Sequence, residues 1–459
     1  MTPRAALADV WRLGGLPEEA LALADLTGGD PVFPSSFAVA TAAQATIAAA
    51  ALAACELGHL RGTPRQRVAV DAVHAACECL GWFSIDGRVP DPWDKFSGLY
   101  RARDGWVRVH ANFPHHRDGA LRLLGLDPAT ADRAAAEQAM LSWSAVEFEQ
   151  AAAQAGLVAT AARTFAQWDA TEQGQAVAAQ PLLTITRVGD AAPRELPVLR
   201  AEQRPLEGVR VLDLTRILAG PVGGRALAAY GADVMLVNAP HLPNIEAIAD
   251  TSRGKRSAHV DLRTEEGRTA LRDLLATAHV FVQGYRPGGL QSLGFGVDDI
   301  ARWRPGIVQV SLSAYGSLGP WNGRRGFDSL VQTAMGFNLA EAQAAGTPDR
   351  PKPLPMQILD EATGYLIAFG AAAALVRQQR EGGSWHVQVS LARTGHWLRQ
   401  LGRVENGLAA HRPSLDPYLE SEPSGFGVLR GVRHSAKLSR TPAAWVLPST
   451  PPGSSPPRW

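Results

Sequence analysis

Cysteine is scarce in this chain. Three in 459 residues, Cys55, Cys77 and Cys79, cannot build a disulfide framework, and Cys77-Glu-Cys79 lacks the spacing of a redox pair. No His/Cys set has zinc spacing, so no metal site is expected, and the thiols read as small buried side chains in a reducing compartment. An excess of charge is missing too. Forty-five Lys and Arg against 44 Asp and Glu leave a net charge of +1, which gives nucleic acid or an anionic membrane no electrostatic case as partner. The first ten residues carry no apolar h-region, so a signal peptide is not expected and the cytoplasm is. Long, strongly apolar runs are also wanting: residues 37–55 are mostly alanine, interrupted by Thr41, Gln44 and Thr46. Alanine is too weakly apolar for a convincing span, so a buried helix of a soluble protein is expected there.

What is present is an ordinary globular composition, 46% hydrophobic and 19% charged, long enough for two or three domains. Residues 1–200 are Ala-rich and helix-biased, with strand character at 105–111. Residues 206–400 alternate: strands at 209–214, 233–237, 258–262, 280–282 and 307–312, helices at 223–230, 265–278 and 297–303. Continuous apolar strands separated by amphipathic helices predict a mainly parallel, Rossmann-like α/β sheet covered on both faces, beside a smaller α+β domain. Residues 401–459, rich in Pro, Ser and Gly, are expected to wrap the surface. There is also an internal echo. An Ala helix, a basic turn, a Val-x-Val strand and another helix occur at 49–76 and again at 371–395, suggesting two related units. The position matching Asp360 then falls near Thr41, where no carboxylate stands, so the first copy would be catalytically empty.

Three stretches carry candidate chemistry. The strand ending at Leu214 runs through Arg216 and Ile217 into Ala219-Gly220-Pro221, where a helix starts and its N–H groups can hold an anionic or carbonyl group. No G-x-G-x-x-G follows that strand, which counts against NAD or FAD. Arg253-Gly-Lys255-Arg256 and Tyr285-Arg286-Pro-Gly are cationic loops, expected at one end of the sheet, where they fit a ligand with several phosphates. Asp360, ahead of an Ala-rich helix, can be a nucleophile or simply a first-turn acid on the helix dipole; Asp328, before Ser329, poses the same choice.

In series, 206–221, Tyr230-Gly-Ala-Asp-Val, Arg253-Gly-Lys-Arg, Tyr285-Arg-Pro-Gly, 310–316, Gly326-Phe-Asp328 and Asp360-x-x-x-Gly364 resemble the class III CoA-transferase family (CaiB/BaiF type). The resemblance implies a transfer of CoA from an acyl-CoA to a small carboxylic acid, with Asp360 as nucleophile and Asp328 close to it. It also implies CoA contacts at Arg216, Ile217, Ala219, Gly220, Lys255, Arg256, Tyr285, Arg286 and Gly364. No permanently bound cofactor is implied, coenzyme A being a substrate. N–H donors for oxyanions would come from Gly364 or from 218–220. Family members form interlocked homodimers, which points to a dimer here.

Residues 104–114, 120–127 and 144–156 resemble the family's small domain, which ordinarily follows the nucleophile-bearing half; here it comes first. That suggests a fusion whose first unit has lost its front half. No counterpart of the family's Gly-rich shielding loop is evident. The same family holds acyl-CoA racemases with Gly-His-Asp where this chain has Gly326-Phe327-Asp328, and Phe cannot transfer a proton. A CoA-binding subunit without turnover stays open as a third reading. The acyl group is not written in the sequence.

Overall fold

A computed structural model describes all 459 residues. Six short strands lie in the first part: β1 (Ala24–Thr27), β2 (Val68–Asp71), β3 (Phe83–Ile85), β4 (Gly98–Arg101), β5 (Trp106–Val109) and β6 (Ala159–Ala161). Strand β7 (Leu183–Gly189) then joins the large sheet with β8 (Arg210–Leu214), β9 (Asp233–Asn238), β10 (Lys255–His259), β11 (Val280–Gln283), β12 (Val308–Ser313) and β13 (Ser384–Ser390). The order is β10-β9-β8-β11-β12-β13-β7, parallel throughout except for edge strand β7. The expected α/β class is the observed one. In β8, Val211, Leu212, Asp213 and Leu214 are all buried, as a strand covered on both faces requires.

Four helices position the site: α1 (Val39–Leu60), α2 (Ala219–Ala229), α3 (Asp328–Met335) and α4 (Ile358–Glu381). By length and composition α1 and α4 could each cross a membrane, yet the apolar stretch of each is buried inside the protein and they pack on one another. Alanine makes this close approach feasible, and glycine tightens it further where α4 crosses α2. A Cβ on Gly364 would sit 2.6 Å from Val222 Cγ1 and 2.7 Å from the Ala219 carbonyl.

One core of 85 buried side chains runs from Ala6 to Leu438, so the N-terminal helices and one face of the large sheet share a single interior. A second, of 16, lies under the helices at Glu265–Thr277 and Val297–Trp303 on the other face. Residues 96–161 hold their own core of 14 around β4, β5 and β6. The last residues add hairpin β14 (Leu419–Ser424) and β15 (Gly427–Val432), which pairs with β3, and β16 (Lys437–Leu438), which pairs with β2. Trp459 donates to the Leu274 carbonyl (2.8 Å), so the final residue is held against the sheet's outer helix.

Candidate active site

Asp360 is the third residue of α4 and Asp328 the first of α3. The structure brings them together. The Asp360 N–H donates to Asp328 Oδ2 at 2.9 Å, and Gln332 Nε2 donates to Asp328 Oδ1. Gln332 also donates to the Met356 carbonyl (3.2 Å) and accepts from the Leu354 N–H (3.0 Å), which fixes the segment entering α4. Asp328 is 0% exposed and Asp360 8%. Burial raises both acids above the usual carboxylate range. Asp328 rises to about 7, restrained by hydrogen bonds from the Asp360 N–H, Gln332 and the Leu359 N–H, and by the charge of Arg108. Asp360 is pushed well above, by burial and then by the charges of Asp328 and Glu361. Asp328, which holds the hydrogen-bond donors, is therefore the more readily ionised of the two, and its charge adds to the burial that disfavours ionising Asp360.

Beside the pair, the loop after β8 enters α2. Ile217 has φ +78°, a left-handed backbone that a β-branched residue adopts only under constraint. The N–H groups of Ala219 and Gly220, at the open end of α2, meet no acceptor in the chain. A Cβ on Gly220 would come within 2.3 Å of Thr215 Cβ, so only glycine permits this turn. Gly364, one turn after Asp360, abuts Ala219, which places α2's first turn next to the acid pair. The expectation that Gly364 supplies an N–H is corrected. It lies inside α4, where its N–H belongs to the helix ladder, and its lack of a side chain is what admits α2.

Tyr285 and Arg286 follow β11 and line a cavity of about 200 Å³ with Gly316 and Ser317; Asp360 does not line it. Arg216 donates to the Pro243 carbonyl; burial raises the pKa of the Tyr285 phenol, and the nearby charge of Arg216 offsets part of that rise. Lys255 and Arg256 require a correction. The strand expected at 258–262 runs instead from Lys255 to His259, and Lys255 opens it, 0% exposed, with Nζ bound to Asp213 Oδ2 (3.0 Å) and the Pro221 carbonyl (2.7 Å). Arg256 pairs with Asp233 (2.6 Å) and donates to the Arg458 carbonyl (3.1 Å). Both sit at the start of a strand, whereas Tyr285 follows the end of a parallel one. The two cationic loops thus lie at opposite ends of the sheet.

Several residues of the site escaped the sequence. A second cavity of about 200 Å³ is lined by Arg286, Arg324 and Arg325 together with Thr160 and Asn322. Residues 106–116 come from over two hundred positions away and cover Phe327 and Asp328. His110 stacks on Phe327 (4.0 Å, 18°), and His116 Nε2 meets Arg325 Nη1 at 3.0 Å. Burial pushes both imidazoles down to about 3, so they are neutral. Arg108 lies over Trp93 (4.7 Å) with its Nε buried and unpartnered. Burial lowers its pKa to about 10, against the opposing charge of Asp328. No signal in the local sequence marks these three; only the strand-like alternation of 106–110 puts Arg108 and His110 on one face. No group of three or more His, Cys, Asp or Glu is placed to hold a metal ion.

The chain is similar to several known proteins. A fungal acyl-CoA transferase of Gibberella moniliformis is 30% identical over 378 residues, 73% of this chain and 66% of that protein. A succinate–glutarate CoA-transferase of Agrobacterium fabrum is 33% identical over 254 residues, 49% of this chain and 62% of that one. The crystal structure of a CaiB/BaiF family protein from Brucella suis is 29% identical, covering 49% of this chain and 65% of its own, with a TM-score of 0.39. The chain spans less than two thirds of the length of such relatives. The sequence profile described as CoA-transferase family III matches residues 17–195 and 206–414, leaving out only the ends and a short link, and the chain belongs to that family.

Proposed function

We propose that the chain transfers CoA from an acyl-CoA thioester to a carboxylic acid, with Asp360 as the nucleophile. The observation that carries this reading is the buried Asp328–Asp360 pair beside two unpaired N–H groups of α2. The names of the relatives, which are CoA-transferases, support the same chemistry.

In the proposed sequence Asp360 first gives up its proton to solvent water. Its carboxylate then attacks the thioester carbonyl; the C–S bond breaks, CoA leaves as thiolate, and an acyl-aspartyl anhydride forms. The thiolate attacks the Asp360 carbonyl carbon and expels the donor acid, leaving an aspartyl-CoA thioester. An acceptor carboxylate displaces the thiolate to form a second anhydride, and the thiolate attacks the acceptor's acyl carbon, releasing Asp360. Each bond made is matched by one broken, with no redox partner. Dividing the exchange into acyl transfers avoids one difficult displacement. Each tetrahedral oxyanion would be met by the Ala219 and Gly220 N–H groups, whose two bonds are worth several kcal/mol in a dry site. The CoA phosphates would meet Arg286, Arg324 and Arg325, which takes the role expected of Lys255 and Arg256.

The racemase alternative needs proton-transfer groups flanking an α-carbon. The imidazoles nearest Phe327 are pushed to about 3, which makes them weak bases at neutral pH. Intact-mass measurement after incubation with acyl-CoA thioesters tests the proposal. The wild type should gain a CoA adduct that hydroxylamine releases, and Asp360→Ala should gain none. An adduct surviving in Asp360→Ala would refute the assignment; CoA binding without any adduct would favour a non-catalytic subunit.

A further inference from the structure

Residues 38–74 and 357–393 align as sequence positions 319 apart, without a gap, and the helix start, the strand end and the cap that follows it fall at matching positions. The N-cap of α1, Ala38, has φ −77° and ψ 58°; that of α4, Gln357, has φ −80° and ψ 58°. Each helix leads to a strand that pairs in parallel with an earlier one. Ala24 faces Val68 as Val310 faces Val387, and Thr27 faces Asp71 as Ser313 faces Ser390. Each strand ends in a capping side chain: Asp71 accepts from the His74 N–H (3.0 Å), Ser390 from the Arg393 N–H (3.2 Å). The correspondence reaches the acid pair. Asp30 accepts from the N–H groups of Ala40 (3.0 Å) and Thr41 (2.8 Å), as Asp328 accepts from those of Leu359 and Asp360. Burial raises Asp30 as it raises Asp328. A carboxylate holding the first turn is thus kept in both halves, while Thr41 stands where Asp360 stands.

The two halves meet through α1 and α4, and the domain that follows the first half does not cover the first half's own turn. It crosses to the second, where β5 and β6 pack on α3 and His110 lies on Phe327. We propose that the chain joins a shortened first copy of one unit in tandem with a second, and that a single chain completes the Asp360 site within itself. Residues 98–161, after the first copy, close the site of the second, and the first copy keeps Asp30 but forms no adduct because Thr41 replaces the nucleophile. The proposal counts one site per chain and requires no second copy to supply residues. The adduct count rests on the acyl-transfer reading; the closure within one chain does not.

The experiment places thiols on the full chain at two exposed positions either side of that closure, His115→Cys with Arg325→Cys, the native cysteines being buried. A short bismaleimide should link them within one chain, leaving the mass of a monomer plus linker. A linker-joined dimer, or no link at all, would overturn the proposal. Mixing Asp360→Ala with Arg108→Ala after joint unfolding and refolding gives a second readout. Closure in trans adds about a quarter of wild-type turnover by random pairing to what the two variants give when refolded apart, and that result would overturn the proposal; closure in cis adds none. Two CoA adducts per wild-type chain would also overturn it. A wild type that makes no adduct sinks the acyl-transfer reading while the linker result still decides the architecture.

Discussion

Replacing Asp328 by Asn removes one charge from a buried pair while keeping its shape. The Asp360 N–H lies 2.9 Å from Asp328 Oδ2. At an effective dielectric of about 20, a unit charge on neighbouring Asp328 adds about 3 kcal/mol to the cost of ionising Asp360. That corresponds to a shift of about 2 pKa units. As the proposed nucleophile, Asp360 attacks only when ionised, so the acid limb of kcat/KM, which reports the free enzyme, should move about 2 units to lower pH in Asp328→Asn. At pH values below the wild-type limb the variant should then form adduct faster than the wild type. A stability cost accompanies this. The Asn amide presents donors where Gln332 Nε2 now donates, so Gln332 must turn and release Leu354 or Met356, at about 1–3 kcal/mol. Rapid-quench measurement of adduct formation across the pH range separates the two effects, because the fold loss is checked by the unfolding midpoint at each pH. An acid limb that stays in place, or moves upward, would refute the claim that Asp328 controls the proton on Asp360.

Other perturbations divide structural from catalytic roles. Lys255→Met leaves Asp213 buried without its cation and should lower stability by about 3–5 kcal/mol in a denaturant titration, with KM for the acyl-CoA unchanged; a raised KM in a stably folded variant would restore Lys255 as a phosphate ligand. Arg325→Gln should raise that KM roughly tenfold, about 1.4 kcal/mol, and leave the KM for the acceptor acid alone. Gly364→Ala forces a Cβ against Val222 and the Ala219 carbonyl and should cost about 1–3 kcal/mol, read as an earlier thermal midpoint. Arg108→Gln removes a buried cation with no hydrogen-bonded partner. It should raise the KM for the acid more than the KM for the thioester if this guanidinium meets the acid's carboxylate, and an equal change in both would argue for a purely structural role.

The parallel sheet was readable because β9 and β11 are apolar on both faces, β12 and β13 keep one apolar face, and the connecting helices are amphipathic: the helix expected at 297–303 is Val297–Trp303, and that at 265–278 ends one residue earlier. Asp328 and Asp360 were readable as candidates because each opens a helix within a recognisable series. The failures have one physical source. Lys255, Arg256 and Ser257 look like loop, and nothing local says that Asp213, forty-two positions earlier, will neutralise a buried lysine and let the strand begin there. Gly364 looks like a donor position until the crossing with α2 shows that the space beside it is already filled.

The residues that cover the acid pair were hidden for the same reason at longer range. Arg108, His110 and His116 carry no local pattern that ties them to Phe327, and burial, which sets all three pKa shifts, exists only once the two halves have docked. The Ala-rich echo, in contrast, was visible as composition, but its meaning lay in backbone geometry. Two N-caps with the same dihedrals and two carboxylates on equivalent N–H groups turn a weak repeat into a specific correspondence. The first half thus differs from the second in two respects, Thr41 in place of Asp360 and a turn on which β5 and β6 do not pack. The converse substitution, Thr41→Asp, supplies the carboxylate alone. No counterpart of the β5–β6 domain packs on that turn, so it should form no adduct at all; a hydroxylamine-sensitive adduct at Thr41→Asp in an Asp360→Ala background would show that the covering domain is dispensable for the first acyl transfer.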